Sequence, residues 1–268
     1  MKDSNLDLSK LTIAARKVVA DAVSFIRLHS IGFDRTHVDK KGFNDLVSYV
    51  DKGSEQLLVD GLRKVLPGSG FIAEEQTAAD HGERFRWIVD PLDGTTNFIH
   101  GVPCYAVSVA LVDHDELIMG IVHEVNQDEC FWSHLGLGSF VNDKPIMVSS
   151  CTNVNDSLVA TGFPYTDFSR MDSYMGIFHY CMKNTHGIRR PGSASVDLAW
   201  LAAGRFDMFY EYGLNPWDVA AGAFLVQQAG GRVTDFKGGS NFIFGKEILA
   251  SNGHVHNDFA IVIADCMN

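Results

Sequence analysis

Acidic side chains stand where secondary-structure elements should end or begin, and layered α/β proteins place their ligands at such junctions. Glu74 and Glu75 follow the apolar run Phe71-Ile72-Ala73. Asp90 follows Trp87-Ile88-Val89, and Asp93 comes three residues later, just ahead of Gly94-Thr95-Thr96. Asp218 follows Pro216-Trp217 at the head of another apolar run. Each has an ordinary explanation when taken singly: Asp93 and Asp218 would both serve as helix N-caps. Taken together, with neither Cys nor His among them, they are hard oxygen donors of the kind that select Mg²⁺.

The chemistry follows from the spacing. Asp90-Pro91-Leu92-Asp93 puts two carboxylates on one tight loop, and the Leu92 carbonyl between them can also point inward. Two ions held there would flank a phosphoryl group, one acidifying a water and the other stabilising the leaving oxygen. Gly94-Thr95-Thr96 should open a helix whose backbone N–H groups face the same loop, an arrangement suited to phosphate. A phospho-aspartyl mechanism needs two Asp separated by one residue. Here two residues separate them, which favours direct attack by water.

The elements that must position these groups can be read from periodicity. Leu8, Leu11, Ala15, Val18, Ala22 and Phe25 mark an amphipathic helix over 6–29. Residues 37–44, polar and containing Lys40, Lys41 and Gly42, read as a loop. A second helix is expected over 46–66, stopped by Pro67-Gly68. Strands are expected at 71–73 and 87–89, followed by a hairpin of 105–112 with 117–125 and further antiparallel strands at 130–132 and 139–141. The second half alternates, with strands near 158–161, 188–189, 206–210, 232–236 and 248–251. Helices are expected near 169–184, 195–203, 218–229 and 255–264. The mixture of hairpins and crossovers predicts layered α+β architecture and not a regular parallel βαβ repeat.

Composition narrows the function classes. The chain of 268 residues carries 22 Lys+Arg against 33 Asp+Glu, a net charge of −11. That excess argues against gripping nucleic acid through phosphates, or an anionic membrane surface, both of which call for basic faces. Five widely spaced cysteines without a C-x-x-C pair point to free thiols and a cytoplasmic setting. No apolar run reaches the length of a membrane span, and the polar start carries no signal-peptide pattern. Gly68-Ser69-Gly70 lies between a helix and a strand, the reverse of a dinucleotide fingerprint. There is no P-loop, no G-x-S-x-G and no H-E-x-x-H.

Three segments now carry a resemblance: Ala73-Glu74-Glu75, Trp87 to Phe98 with its Asp-Pro-Leu-Asp-Gly-Thr-Thr-Asn core, and Trp217-Asp218-Val219-Ala220-Ala221-Gly222. Their order and separation resemble the signatures of the inositol monophosphatase family across nearly the whole chain. The resemblance implies an α-β-α-β-α sandwich forming one domain over 1–268, with packed halves of roughly 1–150 and 151–268. It implies a homodimer and lithium-sensitive, Mg²⁺-dependent hydrolysis of a small phosphate monoester, with no nucleic-acid or membrane partner. Glu74, Asp90 and the Leu92 carbonyl would hold a first Mg²⁺, and Asp90, Asp93 and Asp218 a second. A third, weaker ion would involve Glu74. Asp51 and Thr95 would position the attacking water, and the Gly94 and Thr95 amides, with Thr96 beside them, would hold phosphate. Lys40 matches a basic loop residue near the site. Gly192, Ser193, Ala194 and Glu211 would line the inositol ring, whose hydroxyls Asp93 and Asp218 would also touch.

Two departures stand out. Ala73 replaces the usual Gly of the first signature, which works if its φ is negative. Asn215-Pro216 precedes Trp217 where the family varies. The leading expectation is hydrolysis of myo-inositol monophosphate. The alternatives are fructose 1,6-bisphosphate, NADP, adenosine 3′,5′-bisphosphate or histidinol phosphate, and a regulatory protein without activity.

Overall fold

Side-chain alternation along the strands sorts the protein into layers. The computed structural model describes residues 6–34, 38–42, 45–75 and 84–267, with side chains throughout except at 38–42 and 45–47. The larger sheet runs in the order β3 (Gly70–Ala73), β4 (Phe85–Asp93), β5 (Ala106–Asp113), β6 (Glu116–Glu124), β7 (Glu129–His134), β8 (Ser139–Val141) and β9 (Lys144–Ile146). Only the β3–β4 pair in it is parallel. Successive strand residues point to opposite faces. Trp87, Val89, Val107, Val109 and Leu111 therefore pack on α1 (Leu8–Ser30) and α2 (Tyr49–Val65). Ile88, Ala106, Ala110 and Val112 pack the other way, on α5 (Ala194–Ala202) and α6 (Pro216–Gln228).

The smaller sheet has the order β11 (Gly187–Arg189), β10 (Leu158–Thr161), β12 (Met208–Tyr212), β14 (Glu247–Ser251), β13 (Arg232–Thr234). Phe209, Ile248 and Ala250 face α5 and α6. Met208, Tyr210 and Leu249 face α4 (Met171–Asn184) and α7 (His256–Met267). The result is five layers, α-β-α-β-α, the architecture that the three signatures implied. A helix packed on both sides should be apolar all round. α5 is largely so: its buried residues run unbroken from Ala194 to Ala199 and resume at Leu201 and Ala202, with Ser195 and Asp197 the polar members. Each large apolar side chain removed from water in these interfaces contributes about 2 kcal/mol before chain entropy is set against it.

Two expectations need correction. The stretch read as a loop contains β1 (Val38–Gly42), which pairs antiparallel with β2 (Asp45–Ser48). The second helix starts at Tyr49 and not at 46, because Ser48 is its N-cap. The Ser48 hydroxyl accepts from the Val50 N–H, and Asp51 at the third helical position accepts from the Ser48 N–H. A helix cannot extend back through its own cap. Residues 37, 43 and 44 of the expected loop lie outside the described residues. Elsewhere the expected elements recur within a few residues. Ala73 lies in β3 and not among the residues with positive φ, so it fits where glycine is usual.

Candidate active site

The two aspartates of the Asp-Pro-Leu-Asp loop should point to opposite faces if β4 were regular, since an odd separation alternates. The β4–β5 register instead shifts between Asp90 and Asp93. Pro91 lacks the N–H that a ladder needs, and such an irregularity re-aims the side chains around it. Asp90 is left buried, its Oδ1 accepting from the Leu92 N–H at 3.0 Å. Carboxylate oxygens of Asp90, Asp93 and Asp218 then lie within 4.8 Å of one another.

Each arm of this trio is held from a different element. Three donors converge on Asp93 Oδ2: the Ser193 hydroxyl at 2.6 Å, the Ser195 hydroxyl at 2.6 Å and the Ser195 N–H at 2.7 Å. The start of α5 thus positions the second aspartate. Asp218 sits at the third position of α6, after Pro216 at the first, and accepts from the Asn215 N–H at 2.7 Å. The Ser108 hydroxyl donates to the Trp217 carbonyl at 3.1 Å, which ties that helix start to β5. Neither Asp93 nor Asp218 is an N-cap, contrary to the simple reading of each. Gly94 and Asn215 occupy the cap positions.

Glu74 follows β3 in a turn whose N–H donates to the Val89 carbonyl at 3.3 Å. It borders the same cavity but stands outside the 4.8 Å trio. Asp51 lies behind the cavity wall. Its Oδ2 accepts from the Ser48 N–H at 2.8 Å and the Ser48 hydroxyl at 2.5 Å. The Thr95 hydroxyl reaches both Asp51 Oδ1 and the Leu92 carbonyl at 2.9 Å. Thr95 and Thr96 open α3 (Thr95–His100) after Gly94, whose φ of +92° suits glycine. A Cβ on Gly94 would also come within 3.0 Å of the Cys104 carbonyl. Lys40 falls on β1, and its side chain lies outside the described residues.

The cavity measures about 370 Å³. Gly192, Ser193, Ala194 and Glu211 border it with the loop residues. Sequence reasoning missed four contributors. Gly162 leaves room for Glu211: a Cβ there would lie 2.0 Å from its carboxylate. Asn97 donates to the Cys104 and Pro191 carbonyls at 2.7 and 2.9 Å, joining α3 to the segment before α5. Asp197 and Arg190 also border the cavity. The signal for Asp197 was its helical spacing, since positions three and four after Ala194 and Ser193 share their face.

Six carboxyls, Glu74, Asp90, Asp93, Asp197, Glu211 and Asp218, face this space, with Arg190 the one basic side chain among the described lining residues. Burial, then the charges of Glu74, Asp93 and Asp218, holds Asp90 well above the usual carboxylate range. Burial and Asp93 push Asp218 up to about 7. Burial raises Asp93 as well, against the pull of the Ser193 and Ser195 donors. Burial raises Asp51, opposed by Ser48 and Thr95. Like charges this close in a buried site call for cations from outside, and an all-oxygen donor set fits Mg²⁺.

The model of the inositol monophosphatase family matches residues 7–266. A relative from Neisseria meningitidis serogroup B, named a putative Nus factor SuhB, is 43% identical over 83% of this chain and 85% of its own. The inositol-1-monophosphatase of Mesorhizobium japonicum is 39% identical over 80% of this chain and 81% of its own. The crystal structure of the extragenic suppressor protein suhB from Bartonella henselae superposes with a TM-score of 0.89 at 34% identity. That match covers 96% of this chain and 98% of the other. Among the described residues, no helix is long and apolar enough to cross a membrane, and all five cysteines are free.

Proposed function

The chain belongs to the inositol monophosphatase family, and on that premise we propose that it is a Mg²⁺-dependent phosphomonoesterase. Its substrate in this reading is myo-inositol monophosphate, split to inositol and phosphate by direct attack of water. The observation that carries the reading is the trio of carboxylates within 4.8 Å, Asp90 buried and Asp93 and Asp218 half-buried, at a cavity with six acids and one arginine.

Glu74, Asp90 and the Leu92 carbonyl would hold one ion, and Asp90, Asp93 and Asp218 a second; a third, weaker ion would involve Glu74. When bound, the ions acidify water and neutralise charge on the ester oxygens. The chain's own groups do the rest. Three donors on Asp93 Oδ2 fix the orientation of its carboxylate at the edge of the cavity. Asp51 orients the Thr95 hydroxyl, and through it the attacking water. The Asp51 carboxyl, raised by burial, is suited to receive the proton that the water gives up. The Gly94, Thr95 and Thr96 amides cradle the phosphate, and Gly192, Ser193, Ala194 and Glu211 line the alcohol. The same reading takes the protein to be a cytoplasmic, lithium-sensitive homodimer.

A substrate panel tests this. The purified protein should hydrolyse myo-inositol 1-phosphate faster than fructose 1,6-bisphosphate, adenosine 3′,5′-bisphosphate, NADP or histidinol phosphate. It should do so only with Mg²⁺ present, and EDTA should stop it. Turnover that survives the chelator sinks the metal assignment, and a faster rival sinks the substrate.

A second reading rests on the Nus-factor name of a relative at 43% identity: a regulatory role alongside or instead of catalysis. Expressing Asp93→Asn in cells that lack the gene separates the two. Rescue by the inactive protein favours regulation, and its failure favours catalysis.

A further inference from the structure

Three of the six carboxyls of the cavity are tied down by protein donors. Asp90 is held by the Leu92 N–H, Asp93 by Ser193 and Ser195, and Asp218 by the Asn215 N–H. Asp197 differs. It is 1% exposed, it borders the cavity, and its Oδ1 is buried with no hydrogen-bond partner among the described residues. An acceptor hidden from water and left unpaired is costly, and native structures rarely tolerate one without a reason.

Its place suggests the reason. Asp197 lies one turn into α5, three residues after Ala194 and four after Ser193, so it shares their helix face. Glu211 borders the same space from β12, seated against Gly162. Arg190 does not quench Asp197 by hydrogen bonding: its Nη2 donates to the Tyr165 hydroxyl at 3.1 Å, and its guanidinium lies over the Phe163 and Tyr165 rings. At the inner wall, therefore, one oxygen of a carboxyl is left unsatisfied among the described residues.

We propose that Asp197 is a specificity-determining residue, whose carboxyl pairs with a hydroxyl of the substrate's alcohol and so selects polyhydroxylated phosphate esters over plain ones. The inference rests on the phosphatase reading above and deepens it. A site built to pair a hydroxyl rejects the analogue that lacks it, because the buried polar group then stays unpaired.

The test compares myo-inositol 1-phosphate with p-nitrophenyl phosphate, whose alcohol bears no further hydroxyl, on the full chain with Mg²⁺. In Asp197→Asn and Asp197→Ser the ratio of kcat/KM between the two substrates should fall by about tenfold or more. The loss should appear chiefly in KM for the inositol ester. The melting temperature should hold or rise, since an unsatisfied buried group is removed or softened. Deoxyinositol 1-phosphates add a second arm: one isomer should lose affinity in the wild type and little more in the variant, a coupling that marks the paired hydroxyl. An unchanged ratio, equal losses on both substrates, or no coupled isomer overturns the role. If the wild type hydrolyses p-nitrophenyl phosphate but not the inositol ester, the substrate reading fails. The ratio is then read on whichever sugar phosphate the protein hydrolyses best, and it decides the role of Asp197 all the same.

Discussion

Two regions of this protein bury polar side chains, and they do so on opposite terms. At one end of the smaller sheet, Asp207 Oδ2 accepts from the Leu158 N–H at 2.7 Å, and its Oδ1 accepts from the Ser149 hydroxyl. Asn252 Nδ2 in turn donates to Ser149 at 2.9 Å. Nearby, both ring nitrogens of the buried His256 find hydroxyls, Thr234 at 3.1 Å and Ser251 at 3.0 Å. Donor meets acceptor throughout. The cavity instead gathers six carboxyls around one arginine, and burial raises the pKa of its trio, with the neighbouring carboxylates adding to the rise at Asp90 and Asp218. Paired burial holds a fold together, whereas like-charged burial is a standing cost that a bound cation or proton uptake relieves. The contrast separates scaffold from site without reference to any relative.

Substitutions can break that contrast from either side. The largest effect is expected for Asp93→Asn, which should lower kcat by about 10³-fold or more, because preorganised charge at the reacting centre is lost. The melting temperature measured without Mg²⁺ should hold or rise, as one of the clustered charges is gone. Turnover near that of the wild type would refute the assignment.

Asp207→Ala should do the reverse. Stranding the Leu158 N–H and Ser149 should cost about 3 kcal/mol in urea unfolding, while kcat/KM well below the melting point stays within about twofold. A loss of activity without a loss of stability would erase the distinction between the regions.

His256 provides a pH test of the paired region. Burial first, and Arg232 second, hold it down to about 4. Since the folded pKa lies below the unfolded one, its stabilising effect is full above about pH 6.5 and is lost as pH falls toward 4. Between pH 7 and pH 5 this group alone should remove about 2 kcal/mol. His256→Gln should flatten that part of the stability curve, and an unaltered slope would contradict the shift.

The smallest effect is expected for Thr95→Ala, about 10- to 30-fold in kcat with KM little changed, if the hydroxyl acts on the water. A loss confined to KM would move Thr95 from water to substrate.

The layered fold was legible because the two periods that reveal it are local. The three- and four-residue repeat of α1 and the alternation in β5 and β6 recur in the structure within a few residues. The β1–β2 hairpin was not legible, since Lys40-Lys41-Gly42 is polar and carries no alternating pattern. The cavity residues of the signatures were legible as types: acids after strands and a glycine before a helix. Gly162 was invisible, because its use is set by Glu211, 49 residues on, whose carboxylate lies against it in a different strand. The spacing of Asp197 from Ser193 and Ala194 was legible, but its unpartnered oxygen was not, as an aspartate inside a largely apolar helix shows nothing of its partners.

The linear chain alone determined which donors exist: hard oxygens without thiol or imidazole, a proline that interrupts one strand, and glycine where the backbone must turn. Those are properties of residue type and near neighbours, and no folding is needed to state them. Tertiary structure alone decided that Asp90 and Asp93 share a side of β4, and that Ser193 and Ser195, 100 and 102 residues away from Asp93, saturate one of its oxygens. It also decided that Asp197 borders the cavity with its Oδ1 left without a hydrogen-bond partner among the described residues. Hydrogen bonds and Coulomb forces act over a few ångströms, and only the packing of α5 and α6 between two sheets brings such distant groups within that reach.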